Sequence, residues 1–101
     1  MIVKHEEKDG ALFFTMIGEL DHHSAQVVRE ETDAAIDVCD YKRVVFDLTY
    51  MSFMDSSGIG VLLGRYKRLA ENKKQCYILN PVPIVDRILT MSGVYKLIKR
   101  L

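Results

Sequence analysis

A chain of 101 residues is long enough for one hydrophobic core and too short to close a substrate between two lobes. With 49% apolar and 28% charged residues it reads as a single globular domain rather than a disordered tail, and its 14 basic residues offset its 14 acidic ones. No run approaches the ~18 apolar residues of a membrane span, and Met1-Ile2-Val3-Lys4-His5-Glu6-Glu7 lacks the apolar centre of a signal peptide, so a cytoplasmic protein without membrane contact is expected.

Residues 2 to 7 read as a weak first strand, and Lys8-Asp9-Gly10 as the turn into a second, ALFFTMIGEL, whose apolar residues on both alternating faces suit a well-covered strand. Asp21 is placed to cap a helix from about His22 to Cys39, with Ala25, Val28, Thr32, Ala35, Ile36 and Cys39 on its buried stripe. RVVFDL, residues 43 to 48, has the β-branched and aromatic content of a central strand. The stretch from Met51 to Gly58 reads as a loop, and the helix after Ser57 carries Ile59, Leu62, Leu63, Tyr66, Leu69 and Ala70 inward, with Arg65, Arg68 and Glu71 on its wet side. CYIL, residues 76 to 79, is a further buried strand. Asn80-Pro81 opens a third helix in which Ile84, Val85, Ile88 and Leu89 face inward, and Gly93 stops it as a left-handed cap. VYKLI, residues 94 to 98, reads as a last short strand.

This alternation predicts an α/β fold: a mixed, mostly parallel sheet of four to five strands with an N-terminal hairpin and three or more packed helices. In such sheets binding groups collect on loops beyond the carboxyl ends of strands, and two loops qualify, Glu19 to His23 and Met51 to Gly58. Charge is unevenly divided, with eleven acids against five bases in residues 1–50 and three against nine in residues 51–101. The bases, among them Arg65, Lys67, Arg68, Lys73, Lys74, Lys96, Lys99 and Arg100, are scattered without interleaved aromatics. Solvated helix faces or a charge-steered protein contact fit that pattern better than nucleic acid. Cys39 and Cys76 have no CxxC spacing and read as small buried apolar residues, so no metal site or redox pair is expected.

The Asp55-Ser56-Ser57-Gly58 junction allows several readings. A serine there can cap the new helix, but one helix has one cap position, which leaves the second hydroxyl to solvent or a partner. A nucleophile elbow fails on spacing, and all three histidines (His5, His22, His23) lie upstream. Gly58, Gly60 and Gly64 follow a strand as in a dinucleotide loop, yet no ribose-binding carboxylate ends the next strand. Gly60 and Gly64 read more simply as permitting another element to pack closely. The third reading is a phosphorylation switch, in which a phosphate on Ser56 beside Asp21 and Asp55 would veto docking.

GELDHH at 18–23, RVVFDL, SFMDSSGIGVLLGRYK at 52–67 and MSGVYKLI at 91–98 together resemble the STAS-domain anti-sigma factor antagonists, most nearly those of sporulation. The resemblance implies the STAS fold and a non-enzymatic partner switch. In that family an unmodified antagonist binds an anti-sigma factor that is also an ATP-dependent serine kinase, releases the sigma factor, is inactivated by phosphorylation, and is restored by a PP2C-type phosphatase. It implies Ser56 as phosphoacceptor, Ser57 as the capping serine, Asp21 as an acid at the kinase interface, and surface contacts from His22 and His23. Asp21 to His23 and Asp55, Ser57, Gly58, Ile59 and Gly60 are then the docking face of a monomer that needs no cofactor. The alternative reading is a STAS-like module that binds a nucleotide or small ligand at the same helix N-terminus.

Overall fold

A computed structural model describes residues 1–101. In chain order it contains β1 (Ile2–Lys8), β2 (Ala11–Leu20), α1 (Ala25–Val38), β3 (Arg43–Asp47), β4 (Met51–Met54), α2 (Ser56–Glu71), β5 (Gln75–Leu79), α3 (Pro83–Ser92), a 3-10 turn (Val94–Lys96) and β6 (Lys99–Arg100). β1 and β2 form the expected antiparallel hairpin, from Ile2 opposite Ile17 to Lys8 opposite Ala11. Asp9 and Gly10 at its tip have φ of 53° and 79°, the left-handed pair a tight two-residue turn requires.

β2 organises the rest. Its first half pairs in parallel with β3, and β3 continues to β5 and β6. Its second half leaves β3 and pairs with β4, through a register shift between Gly18 and Glu19. Gly18 makes the change of partner possible: its φ of 109° is a backbone conformation side chains rarely adopt, and its amide bonds the Tyr50 carbonyl at 3.1 Å.

The sheet therefore has six strands, not four to five, because residues 51 to 54 are a strand rather than loop. The same register shift explains why this strand is hard to read: Met51 and Met54 are buried while Ser52 and Phe53 are exposed, which breaks the two-residue alternation. The chain end also differs from expectation. Val94 and Ile98, four apart, are both buried, and the Ile98 amide bonds the Val94 carbonyl at 2.9 Å, so VYK closes a helical turn instead of a strand. Gly93 caps α3 at φ 82° as expected.

Leu12, Phe14 and Met16 of β2, Val44 and Phe46 of β3, and Cys76 and Ile78 of β5 alternate along their strands and share one core with residues of all three helices. Phe14 and Phe46 stack at 5.9 Å between ring centroids. α1 buries Ala25, Val28, Thr32 and Ala35 on the expected stripe, and the Thr32 hydroxyl donates back to the Val28 carbonyl at 2.7 Å. Cys76 is buried and Cys39 half-buried; both are free thiols. On α3, Val85 and Leu89 face the core, whereas Ile84 and Met91 are exposed and Ile88 is half-buried, so Ile84 and Ile88 form an outer apolar stripe with Met91 instead of facing inward.

Arg65 is the clearest departure within a helix. It is 6% exposed, not on the wet side, because α1 packs over it and offers Asp33, with Nε and Oδ1 2.9 Å apart. The N–H direction misses the carboxylate, so this is an ion pair without a hydrogen bond, and Nη1 has no protein partner. Arg68 bridges the same Asp33 and Asp37 at 2.5 and 2.6 Å. Removing Asp33 strands a buried cation, whereas Asp37 is largely exposed. Asp33→Asn is expected to cost about 1–3 kcal/mol in urea denaturation, and Asp37→Asn to stay within about 0.5 kcal/mol.

Candidate functional site around Ser56

Because β2 and β4 lie side by side, with Leu20 opposite Met54, the loops leaving their carboxyl ends meet. In the first loop, the Asp21 Oδ1 accepts from the amides of His23 and Ser24, both at 3.0 Å, and the Asp21 carbonyl accepts from Ala25 at 2.9 Å. The Ser24 hydroxyl fastens the turn from the other side, accepting the Asp21 amide and donating to the Glu19 carbonyl, each at 3.0 Å. Asp21 thus folds a turn ahead of the helix, and α1 begins at Ala25, three residues later than expected. The Ser24 N–H, above all, holds the Asp21 carboxyl below the usual carboxylate range, so it is ionised at neutral pH. His22 and His23 are exposed in this turn, their rings edge to face at 6.0 Å.

In the second loop, the cap of α2 is Asp55, not Ser57. Its backbone is extended, and Oδ1 accepts from the amides of Ser57 at 2.8 Å and Gly58 at 3.4 Å. The carboxylate reaches the loop with one more atom than a serine hydroxyl and has a second oxygen to spare. Oδ2 accepts from the His22 amide at 3.3 Å, while the Asp55 amide donates to the Leu20 carbonyl at 3.2 Å. One side chain therefore starts a helix and joins both loops. Asp55→Ala is expected to cost close to 2 kcal/mol in urea denaturation, the upper end for a lost cap, with Asp55→Asn retaining most of the stability.

Ser56 occupies the first helical position and is exposed, with the capping role already filled by its neighbour. Ser57 is half-buried, Ile59 half-buried and Gly60 exposed. Gly58 is buried, so it lies beneath the exposed residues of this junction instead of among them. A Cβ there would sit 2.5 Å from Met54 Cγ and 3.0 Å from both Leu20 Cγ and the Leu20 carbonyl. Gly60 and Gly64, expected to permit close packing, have nothing within 4 Å of a built Cβ; the close approach is at Gly58 alone of the three.

Beside Ser56 lies an open groove of about 400 Å³, walled by Met54, Ile59, Ile88 and Met91. The α3 residues here were not found from sequence. Their signal was present in Ile84, Ile88 and Met91, spaced four and three apart on the side of α3 away from Val85 and Leu89. Ser56 therefore stands between an apolar groove and an acidic turn. No group of three or more His, Cys, Asp or Glu side chains is placed to hold a metal ion, and no helix is long and apolar enough to cross a membrane. The amides of Ser57 and Gly58, which a glycine-rich phosphate loop would offer a nucleotide, are taken by Asp55.

The STAS domain pattern matches residues 3–101. An anti-sigma F factor antagonist of Paenibacillus polymyxa is 39% identical over 94% of this chain and 81% of its own length. The solved structure of the anti-sigma factor antagonist SpoIIAA in its unphosphorylated form superposes with a TM-score of 0.83 at 29% identity, covering 99% of this chain and 88% of that one. The Bacillus cell fate determinant SpoIIAA in its phosphorylated form gives a TM-score of 0.74 at 28% identity, covering 99% and 91%. With its fold and almost its full length accounted for in this way, the chain belongs to the STAS domain family, in the branch of the anti-sigma factor antagonists.

Proposed function

We propose that the chain is an anti-sigma F factor antagonist that works by partner switching in the cytoplasm. Unmodified and monomeric, it docks through the Ser56 face onto an anti-sigma factor that is also a serine kinase, and so frees the sigma factor. The kinase transfers the γ-phosphoryl group of ATP to the Ser56 hydroxyl, which ends the encounter, and a PP2C-type phosphatase removes it. The domain is the substrate of both enzymes and has no catalytic step of its own.

The observation that carries this reading is the division of labour at the head of α2: Asp55 caps the helix, which leaves the neighbouring Ser56 hydroxyl exposed. A phosphate at a first helical position is tolerated by the helix dipole, so the modified domain stays folded while its surface gains about −1.5 to −2 charges. Asp21, Asp55, His22, His23, Ser57, Ile59 and Gly60 form or border the contact, with Ile88 and Met91 adding apolar area.

Incubation with the cognate anti-sigma kinase and ATP, followed by mass-spectrometric mapping, should find one phosphate, on Ser56. Phosphate on Ser57 alone would overturn the residue assignment, and none at all would overturn the switch. Calorimetric titration with ATP and GTP separates the alternative nucleotide-binding module, which requires saturable binding to the antagonist by itself.

A further inference from the structure

β1 closes one end of the sheet, so one edge of its backbone has no neighbouring strand. No bulge, proline or covering helix guards that edge: β1 pairs with β2 over all 7 of its residues without a shift of register, and every one of them is exposed except the half-buried Val3. We infer that two copies of this chain pair along this edge, β1 against β1 in antiparallel sense about a twofold axis at His5, so that two sheets become one. The surface is separate from the Ser56 face, and the inference does not rest on the function proposed above.

The order of charges along β1 selects both the partner and the register. Val3, His5 and Glu7 face α1: Val3 and His5 share a groove with Ala34 and Val38, and Glu7 accepts the Asp40 amide at 2.9 Å. Ile2, Lys4, Glu6 and Lys8 therefore lie on the other face of the sheet. Antiparallel copies oppose residues of the same face, so the axis must pass through a residue and not between two. An axis at Lys4 sets that lysine against its own copy; one at Glu6 sets Glu6 against Glu6 and Lys4 against Lys8; axes nearer the strand ends leave most of β1 unpaired. Only at His5 do opposite signs meet, with Lys4 facing Glu6 of the other copy twice over and Ile2 resting on the aliphatic stem of Lys8. A foreign strand without this order would meet the same charges as an obstacle, and a second copy meets them as complements.

Apolar surface left beside the edge supports the same pairing. Val38, 82% exposed, and the exposed Ala34 stand on the side of α1 next to β1, where with Val3 and His5 they line an open groove of about 450 Å³. On the opposite face Ile2 is 57% exposed. Pairing at His5 sets the two α1 helices antiparallel on one face of the joined sheet and closes both grooves about the axis, which takes Val38 and Ile2 out of water together with the free strand edge. One strand edge and one helix flank bury less than a stable dimer needs, so the pair forms as concentration rises and the dilute protein that docks is the monomer. The Ser56 face stays open in the pair: the axis passes at His5, opposite Phe14, whereas the Asp21 turn begins beyond Leu20 at the far end of β2.

Sedimentation velocity on the full chain, from micromolar to millimolar concentration, should show a monomer passing into a dimer with a dissociation constant on the order of 100 μM. Lys4→Glu and Glu6→Lys each set like charges in opposition at both pairs, and each should weaken self-association by about tenfold. The double swap Lys4→Glu with Glu6→Lys exchanges the two charges and should restore association to within about twofold of the original. An equimolar mixture of the two single variants should associate more tightly than either variant alone, because every opposed pair is then complementary. Both positions are exposed, so the urea midpoints of all three variants should stay close to that of the original protein. A single monomeric species at every concentration would overturn the pairing. Association that ignores the single swaps, or that the double swap fails to restore, would overturn the β1 edge and its register. A failed Ser56 phosphorylation assay would bear on the proposed function alone.

Discussion

Ser56→Asp is expected to weaken binding to the anti-sigma partner by about a hundredfold, equivalent to 2–3 kcal/mol, whereas Ser56→Ala should bind within about twofold of the original and accept no phosphate. The difference follows from where the side chain stands. Ser56 is exposed at the first position of α2, so neither substitution disturbs the core, and an aspartate there is favourable to the helix. Thermal melts of both variants should therefore match the original protein. The cost appears only at the encounter, where a new carboxylate adjoins Asp21 and Asp55 and must be desolvated against a surface fitted to a neutral hydroxyl. Aspartate carries less charge and fewer acceptor oxygens than a phosphoserine, so the phosphorylated protein should bind still more weakly. Equal affinity of Ser56→Asp and the original protein, measured calorimetrically, would rule out the electrostatic veto.

Gly58→Ala and Gly60→Ala, two residues apart on one helix, should move stability in opposite directions. At Gly58 the added methyl carbon meets Met54 Cγ at 2.5 Å and the Leu20 carbonyl oxygen at 3.0 Å, and neither is the free end of a flexible chain. The head of α2 must lift from β2 and β4, at a cost of about 1–3 kcal/mol or more. Gly60 is exposed with open space around it, and alanine there should stabilise by about 0.5–1 kcal/mol through helix propensity alone. Urea denaturation reads both. Because lifting α2 also displaces Ser56, Gly58→Ala should slow phosphorylation while Gly60→Ala leaves it intact, and an unaffected Gly58→Ala would mean that the close approach carries no load.

Much of the framework was legible because its signals are local. The Asp9-Gly10 turn, β2 from Ala11 to Leu20, the buried stripe of α1 and the Gly93 stop depend on a few adjacent residues or on a single period. The features that escaped depend on partners distant in sequence. β4 loses its alternation because its register with β2 shifts at Gly18; Arg65 is buried because Asp33 lies across from it on another helix; and which glycine of Gly58, Gly60 and Gly64 is crowded depends on Leu20 and Met54. At the candidate site, Ser56 and Asp21 could be singled out from the quoted motifs. The cap could not be assigned, since aspartate and serine are equally good in that role and only geometry decides between Asp55 and Ser57. The groove beside Ser56 was invisible for a related reason: its third wall, Ile88 and Met91, arrives from α3 some thirty residues downstream.

The break in β2 at Gly18 has a bearing on how such a module can diversify. The Asp21 turn and the Asp55–Ser56 junction sit on two loops whose spacing is set by that joint and by the Leu20–Met54 pairing behind it. Exposed residues such as His22, His23 and Met91 can be exchanged without touching the module's architecture. A side chain at position 18 has no such freedom: the φ of 109° strains any residue but glycine, and relieving that strain would disturb the β2–β4 register that brings the two loops together.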